Sequence, residues 1–142
     1  MTVPTRSMLM PIVERSVDPR GSIVSIVDDP VSNVSIITRN AHSIGSNHYH
    51  YEDWHIMYIV EGQCDYFFKD RDTSEVKYIR CKPGDNIFTP PLELHSTYFP
   101  VKTTMIVSSK NPRDQATYEA DTVREKFIDL DNIHEYLEKY AR

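Results

Sequence analysis

Histidines are the residues of this sequence whose spacing most directly suggests chemistry. His48 and His50 are two positions apart, so on a β-strand both side chains project from the same face. Two imidazoles on one face are the minimal start of a metal site, because neutral imidazole is a common ligand of divalent transition metals. His55 follows after four intervening residues. His95 comes just after the double proline at 90–91, where a rigid turn could direct it inward as a fourth ligand.

The middle of the chain, which must position these histidines, alternates polar and apolar residues with a period of two. Short segments rich in Val, Ile, Tyr, Phe and Thr are separated by turn residues, and this pattern predicts β-strands. Because no helical pattern lies between them, the strands indicate a sandwich or barrel rather than βαβ units. Residues 41–47 are predicted to be a break. The predicted strands are 22–29, 33–39, 55–62, 64–70, 76–81, 86–91, 95–101 and 103–109.

The last part of the chain has a different pattern. Residues 111–127 are polar and are expected to wrap the surface, whereas four apolar positions near the end recur at helical spacing. Asp131 precedes them as an expected N-cap. We therefore predict one amphipathic C-terminal helix that packs on the barrel or on a sister subunit. The apolar positions are Ile133, Tyr136, Leu137 and Tyr140.

Two segments resemble the conserved motifs of the cupin superfamily. Residues 45–62 read G-x2-H-x-H-x4-H-x6-G, similar to the first cupin motif, and residues 84–95 read G-x5-P-x4-H, similar to the second. The resemblance implies an all-β fold, the double-stranded β-helix or jelly-roll barrel. We expect a single cupin domain over 1–142, with a barrel core at about 15–110 and a tail with a C-terminal α-helix at about 111–142.

The resemblance also implies a metal site, formed here by His48, His50, His55 and His95. His55 stands where the superfamily pattern has a glutamate, and Glu52 is the alternative ligand. Four neutral imidazoles would leave the charge of a divalent ion uncompensated and make it a stronger Lewis acid than a site with a carboxylate. Zn, Ni, Fe, Co and Mn all suit such a ligand set, and the sequence does not choose among them.

An inward-facing His55 places an apolar cavity next to the histidines, because period two directs its strand neighbours inward as well. A cavity with apolar walls and a few polar groups suits a small organic molecule. Tyr66 is a candidate proton donor, since a buried phenol needs a hydrogen-bond partner. Glu93, two residues before His95, is a candidate base at the cavity mouth.

A more local resemblance suggests the substrate. Residues 18–23, DPRGSI, are similar to a stretch near the start of the deoxyhexose 3,5-epimerase and 3,4-ketoisomerase groups of sugar-nucleotide cupins. Residues 46–63 and 118–127 also resemble cupins associated with polysaccharide biosynthesis. Those isomerases work without metal, using a His base and a Tyr or His acid, whereas this chain has four histidines at the expected metal position. Arg20 and Arg39 could contact an anionic diphosphate.

We therefore expect a metal-binding cupin that isomerises or epimerises a sugar nucleotide or a related carbohydrate in carbohydrate biosynthesis. A metal-dependent dioxygenase or lyase acting on a small organic substrate is a second hypothesis, and a non-catalytic cupin that binds a small ligand or a metal is a third. The fold alone does not decide among them, because cupins host many unrelated functions.

Composition and charge limit the kinds of molecule that the chain is expected to bind. The formal net charge of -5 and the pI near 5.6 argue against a nucleic-acid partner, which needs clustered Lys and Arg. No apolar run has the length of a membrane span or of a signal peptide, so a cytoplasmic location is expected. Two cysteines are too few for a disulfide framework. A homodimer is expected, because jelly rolls often cover an open sheet edge by pairing.

Overall fold

The fold is built on two antiparallel five-stranded sheets. The computed structural model describes residues 3–141. Sheet one has the strand order β1-β9-β6-β11-β4, sheet two has the order β12-β5-β10-β7-β8, and β2 pairs with β3 outside both sheets. The elements are β1 (Met8–Leu9), β2 (Val13–Asp18), β3 (Gly21–Ser25), β4 (Asn33–Arg39), β5 (Ser43–His50), β6 (His55–Glu61), β7 (Cys64–Asp70), β8 (Lys77–Cys81), β9 (Asn86–Thr89), β10 (Glu93–Phe99), β11 (Thr103–Ser109), α1 (Gln115–Ala120), β12 (Thr122–Arg124) and α2 (Ile133–Tyr140).

The mostly-β class with a C-terminal helix agrees with the sequence prediction, and two local differences affect the site. Residues 43–47 were predicted to be a break but belong to β5, because this polar stretch pairs its backbone with β10 on one side. The polar segment after residue 110 forms α1 and β12, and β12 pairs with the other side of β5. The two sheets therefore include one strand that precedes the predicted core at 15–110 in the sequence, β1, and one that follows it, β12.

The core lies between the two sheets, and each sheet contributes alternate residues to it. Apolar side chains from β6, β9 and β11 meet those from β7, β8 and β10. Both cysteines are buried and free. The buried members are Met57, Ile59, Cys64, Tyr66, Phe68, Cys81, Ile87, Phe99, Met105 and Val107.

Helix α2 packs on the outer face of sheet two. Its Ile133 is fully buried against Phe67 and Tyr98, together with Ile128 from the preceding segment. The helix begins at Ile133, after Asn132 rather than after the expected cap Asp131. Instead, the Asp129 carboxylate accepts hydrogen bonds from the backbone N–H groups of residues 131 and 132. Within residues 3–141, no helix is long and apolar enough to cross a membrane.

A β-bulge at Ser46 and Asn47 interrupts β5 between Gly45 and His48. Ser46 and Asn47 both have positive φ angles, +66° and +62°, and the pairing with β10 shifts there so that His48 lies opposite His95 while Ser46 lies opposite Ser96. The extra residue breaks the strict alternation of the strand. As a result Gly45 and His48, three positions apart, both face the space between the sheets.

Asn47 fastens the C-terminal segment to this bulge. Its Nδ2 donates to the carbonyl oxygen of Ile128 at 2.8 Å, and its Oδ1 accepts from the backbone N–H groups of Phe127 and Ile128 at 3.1 and 3.2 Å. Its own carbonyl oxygen accepts from the N–H of Glu125 at 2.9 Å. Asparagine also tolerates the left-handed backbone that the bulge requires. One side chain thus holds both the bulge and the chain that packs over it.

Substituting Asn47 by Ala should lower the free energy of unfolding by about 2 kcal/mol, because three side-chain hydrogen bonds are lost and Ala is strained at positive φ. Asn47→Gly should be less destabilising, since it loses the same bonds without the strain. Equilibrium urea unfolding measures both. The exposed Asn40→Ala is the matched control, and an Asn47→Ala variant as stable as this control would contradict the assigned role.

Candidate functional site

Three imidazoles converge between the sheets. His48 and His50 come from β5 and His95 comes from β10, and one nitrogen of each lies within 4.8 Å of the others. The ring centroids of His48 are 4.7 Å from His50 and 4.8 Å from His95. All three side chains are buried. The same-face prediction for the H-x-H pair agrees with this geometry, and the antiparallel pairing of β5 with β10 adds the third ring.

Hydrogen bonds fix which nitrogen of each ring is available. His95 Nδ1 lies 3.2 Å from the carbonyl oxygen of Glu93, so Nδ1 carries the hydrogen and Nε2 keeps its lone pair. The Thr122 hydroxyl donates to the Tyr118 carbonyl oxygen, so it accepts from His50 Nδ1 at 3.2 Å. His95 Nε2 is buried without a hydrogen-bond partner within residues 3–141. His50 and His95 therefore both keep a lone pair on Nε2 that can bind a metal or accept a proton.

Burial keeps the imidazoles neutral. Loss of solvation, together with the neighbouring imidazoles, lowers the pKa of His48 to about 2 and the pKa of His95 to about 3. Desolvation also lowers the pKa of His50, although the carboxylate of Asp121 opposes this effect. Neutral imidazole is the form that binds metals and accepts protons.

His55 lies close to these three rings but on the opposite sheet. Its centroid is 5.6 Å from that of His95 and 6.1 Å from that of His50, and it lines the same cavity. Desolvation lowers its pKa well below the usual value. His55 is therefore placed as a possible fourth ligand, although it lies outside the compact set of three. Glu52, the alternative ligand, is exposed and is not among the described residues that line the cavity.

The cavity beside the histidines has a volume of about 110 Å³. Five apolar side chains line it, but polar and charged side chains outnumber them, so the cavity is more polar than the sequence predicted. Tyr66 and Thr97 are among the polar lining residues. An apolar wall beside convergent polar groups suits a small organic molecule that carries polar substituents. The apolar lining residues are Ile37, Met57, Phe99, Met105 and Val107.

The segment after residue 110, which was predicted only to wrap the surface, covers the histidines. The Tyr118 ring of α1 lies 5.4 Å from the His50 ring, and the Arg113 guanidinium stacks over Tyr118 at 5.2 Å. The Asp53 carboxylate accepts from the backbone N–H of Asn111 at 2.9 Å, which anchors the start of this segment. Desolvation raises the pKa of Asp53 to about 6. The local signal for α1 is Asp114, whose side chain caps the helix.

Tyr66 and Glu93, the two predicted catalytic residues, are joined through Ser7. The Ser7 hydroxyl lies 2.7 Å from the Tyr66 hydroxyl and donates to Glu93 Oε1 at 2.5 Å. The Ser7 backbone N–H donates to the same carboxylate oxygen at 2.9 Å. Thr89 lies 2.7 Å from the other side of the phenol. Because Ser7 donates to Glu93, it accepts from Tyr66, and Thr89 donates to Tyr66.

Glu93 lies behind Tyr66 rather than at the mouth of the cavity. It is 1% exposed and is not among the described residues that line the cavity. Desolvation raises its pKa, while the bonds from Ser7 and the nearby guanidinium of Arg6 oppose the shift. The Tyr66 ring stacks on the His95 ring with centroids 5.9 Å apart and planes 12° apart. Desolvation also raises the pKa of Tyr66. A protonated phenol and a neutral imidazole thus stand side by side.

Residues 33–104 match the profile of the family described as the AraC-like ligand binding domain. This chain belongs to that family. The matched range includes all four histidines, Tyr66 and Glu93. A comparison with curated proteins gives no match.

Solved structures with a similar fold support the cupin assignment. QdtA, a sugar 3,4-ketoisomerase from Thermoanaerobacterium thermosaccharolyticum crystallised with TDP, is 18% identical with a TM-score of 0.69, covering 85% of this chain and 89% of that chain. WlaRB, a TDP-quinovose 3,4-ketoisomerase from Campylobacter jejuni, is 14% identical with a TM-score of 0.71, covering 86% and 95%. CapF, a capsular polysaccharide assembling protein from Staphylococcus aureus, is 18% identical with a TM-score of 0.61, covering 82% and 35%.

These similarities confirm the predicted jelly-roll fold and the resemblance to sugar-nucleotide cupins. At such low identities they establish the fold of this member of the AraC-like family, and not its reaction. The chemistry must therefore be argued from its own side chains.

Removing His95 should weaken binding of zinc or cobalt by at least about a hundredfold, because this ring supplies one of three clustered nitrogens. Titration of purified protein with Co²⁺, followed by its visible absorption spectrum, measures the affinity. His42→Ala is the control, since His42 bonds to Tyr98 away from the site. Equal affinity in the His95→Ala and His42→Ala variants would exclude the three-histidine site.

Removing His55 tests the fourth ligand separately. If His55 joins the other three rings around the ion, the His55→Ala variant should bind Co²⁺ about tenfold more weakly and show an altered absorption spectrum. Full affinity with an unchanged spectrum would remove His55 from the ligand set.

Proposed function

We propose that this chain is an isomerase-type cupin that acts on a sugar nucleotide or a related carbohydrate and moves a proton between carbons next to a carbonyl group. The observation that carries the proposal is the pairing of neutral imidazoles with the protonated phenol of Tyr66 beside one cavity. Isomerisation next to a carbonyl needs groups that accept and return protons without net hydrolysis or oxidation. Two structurally similar proteins are sugar 3,4-ketoisomerases, which agrees with this reaction class.

The histidine cluster fits a divalent transition metal. His48, His50 and His95 offer three neutral rings with nitrogens close together, Thr122 and the Glu93 carbonyl orient two of them, and His55 stands near enough to join. We propose that these residues hold one such ion, with Zn, Ni, Fe, Co and Mn as the candidates. When bound, the ion would polarise a substrate carbonyl as a Lewis acid.

The hydrogen-bonded chain through Ser7 supports a role in proton transfer for Tyr66 and Glu93. Tyr66 lines the cavity and would exchange a proton with the substrate, while Ser7 connects the phenol to the buried carboxylate of Glu93. A chain of two short hydrogen bonds lets a proton move without water entering the cavity. Tyr66 is therefore the proposed catalytic residue that meets the substrate, and Glu93 acts through it.

The proposal is tested with TDP-4-keto-6-deoxyglucose, the sugar nucleotide bound in one QdtA structure. In deuterated buffer an isomerase should incorporate deuterium next to the carbonyl and convert the sugar, and both are read by proton NMR. Loss of turnover after chelation would support the metal, whereas unchanged turnover would mean that the imidazoles act directly. Binding without exchange would instead indicate a ligand-binding domain, and neither binding nor exchange on any keto sugar would overturn the proposal.

Tyr66→Phe should lower kcat by at least about a hundredfold with little change in KM, because the ring stays in place while the proton is lost. Ser7→Ala should lower kcat less, since the phenol remains but loses its connection to Glu93. Steady-state kinetics with a keto sugar nucleotide measure both. Tyr58→Phe, on the outer face of β6, is the matched control, and a Tyr66→Phe variant as active as this control would exclude the assigned role.

We also propose a homodimer formed through the outer face of sheet one. The edge strand β4 exposes Val34 and Ile36, which are 60% and 76% exposed, and the β2–β3 hairpin exposes Val17 and Ile23 at 62% and 63%. Large apolar side chains on an unpaired edge strand favour association. An isologous dimer would cover both apolar surfaces at once.

Ile36→Glu should convert the dimer to a monomer, because a charge buried at the interface would lack a partner. Size-exclusion chromatography with light scattering measures the mass. Val101→Glu, in an exposed loop, is the control. A wild-type protein that is monomeric at micromolar concentration would refute the dimer.

A further inference from the structure

Arg39 is a positively charged residue inside the cavity with no acidic partner. It ends β4, is half-buried and lines the cavity. Within residues 3–141 its guanidinium forms no ion pair and no hydrogen bond, whereas Arg20, the other arginine considered from the sequence, is exposed and paired with Asp18. Leaving a partly buried guanidinium without an acceptor is costly, because its five N–H groups lose water without replacement.

The fold makes room for this side chain at Gly45. A Cβ atom at position 45 would lie 2.9 Å from Oγ1 of Thr97 and 3.5 Å from Nε of Arg39. Arg39 therefore reaches from sheet one across to the bare backbone of β5 in sheet two. The buried Thr97 hydroxyl likewise forms no hydrogen bond to the described residues, although it lies beside the same glycine. The Arg39 guanidinium and the Thr97 hydroxyl, both without a hydrogen-bond partner among the described residues, thus lie next to each other at Gly45.

This place lies beside the histidines, displaced along the barrel. Thr97 is two residues from His95 on β10, and two residues of antiparallel strand span roughly 7 Å. The backbone of Arg39 lies farther away, because on β11 Thr103 pairs with Arg39 whereas Ser109 pairs with His55. The apolar side chains of Ile37, Met105 and Val107 line the cavity along these strands. The cavity therefore has the Arg39 guanidinium toward one side and the imidazoles toward the other.

The charges lining the cavity favour an anion. The four imidazoles are neutral, and Asp53 is the acidic residue among the described lining residues. Arg113 is a second cation there, but its guanidinium stacks over Tyr118 of the covering segment, whereas Arg39 lies on the other side of the cavity. Asp53 is two residues from His55 and bonds to Asn111 of the covering segment, so it does not neutralise Arg39. A guanidinium in a low-dielectric cavity binds carboxylate or phosphate oxygens strongly, because both oxygens can accept from one planar group.

We propose that Arg39 and Thr97 form an anion subsite that takes a carboxylate or phosphate group of the substrate, while the reacting carbonyl lies toward the histidines. This inference rests on the proposed function in one respect: it takes the cavity as the substrate site. A volume of about 110 Å³ admits a compact group rather than a whole nucleotide. In a sugar nucleotide the group at Arg39 would be the phosphate attached to the sugar.

Binding of small anions tests the subsite without turnover. Inorganic phosphate and pyruvate are titrated into protein dialysed against a chelator, so that a bound metal does not contribute, and the backbone amide signals of Gly45 and Thr97 are followed by NMR. At least one anion should saturate and shift both signals. Arg39→Gln should weaken this binding by at least about tenfold, Arg39→Lys should retain part of it, and Thr97→Val should weaken it less.

Arg71→Gln is the matched control, because it removes the same charge from an exposed arginine that stacks on Tyr49 away from the cavity. Equal weakening by Arg39→Gln and Arg71→Gln would overturn the subsite, as would the absence of saturable shifts at tens of millimolar of both anions. The anion that saturates identifies the group that is bound. Circular dichroism of each variant verifies folding.

The subsite and the proposed function fail in different ways. Sugar-nucleotide turnover with an unchanged KM in Arg39→Gln would refute the subsite and leave the isomerase proposal standing. Loss of anion binding in Arg39→Gln, with no turnover by the wild type, would support the subsite and refute the isomerase proposal.

Discussion

The site depends on the bulge in β5, where two residues with positive φ separate Gly45 from His48. A regular strand would place these two positions on opposite faces and could not direct both into one cavity. The bulge instead turns His48 toward His95 while Gly45 leaves space for Arg39. Its unfavourable backbone is held by Asn47, whose hydrogen bonds to residues 127 and 128 connect the strain to the packed C-terminal segment.

Part of this arrangement could be predicted from the sequence, because it follows from period two and from short motifs. The H-x-H spacing places His48 and His50 together, and the motif at residues 84–95 identifies His95 as a neighbour. Tyr66 could be selected as a candidate because a buried phenol among apolar residues needs hydrogen-bond partners. All of these predictions rest either on local spacing along a strand or on the resemblance to a family whose fold is known.

The remaining parts depend on contacts between distant segments. Ser7 lies 59 residues from the phenol that it contacts and 86 residues from Glu93, and nothing in the N-terminal sequence distinguishes it. The predicted break at 41–47 was wrong for residues 43–47 because backbone pairing with β10 overrides their weak strand propensity. Glu93 shares a face of β10 with His95, but its carboxylate is buried against Ser7 of the N-terminal segment instead of lying at the cavity mouth, and this contact could not be predicted from the strand pattern.

The residues that complete the site lie at the two ends of the chain. The family profile spans residues 33–104, whereas Ser7, Arg113, Tyr118 and Thr122 all lie outside it. The barrel supplies the histidines. The terminal segments supply the hydrogen bonds of Ser7 to Tyr66 and Glu93, the cover over the histidines and the hydrogen bond that orients His50. Changes in these terminal segments can therefore alter what such a barrel binds without disturbing its core, so related proteins can diverge in specificity through their ends while the middle of the chain is retained.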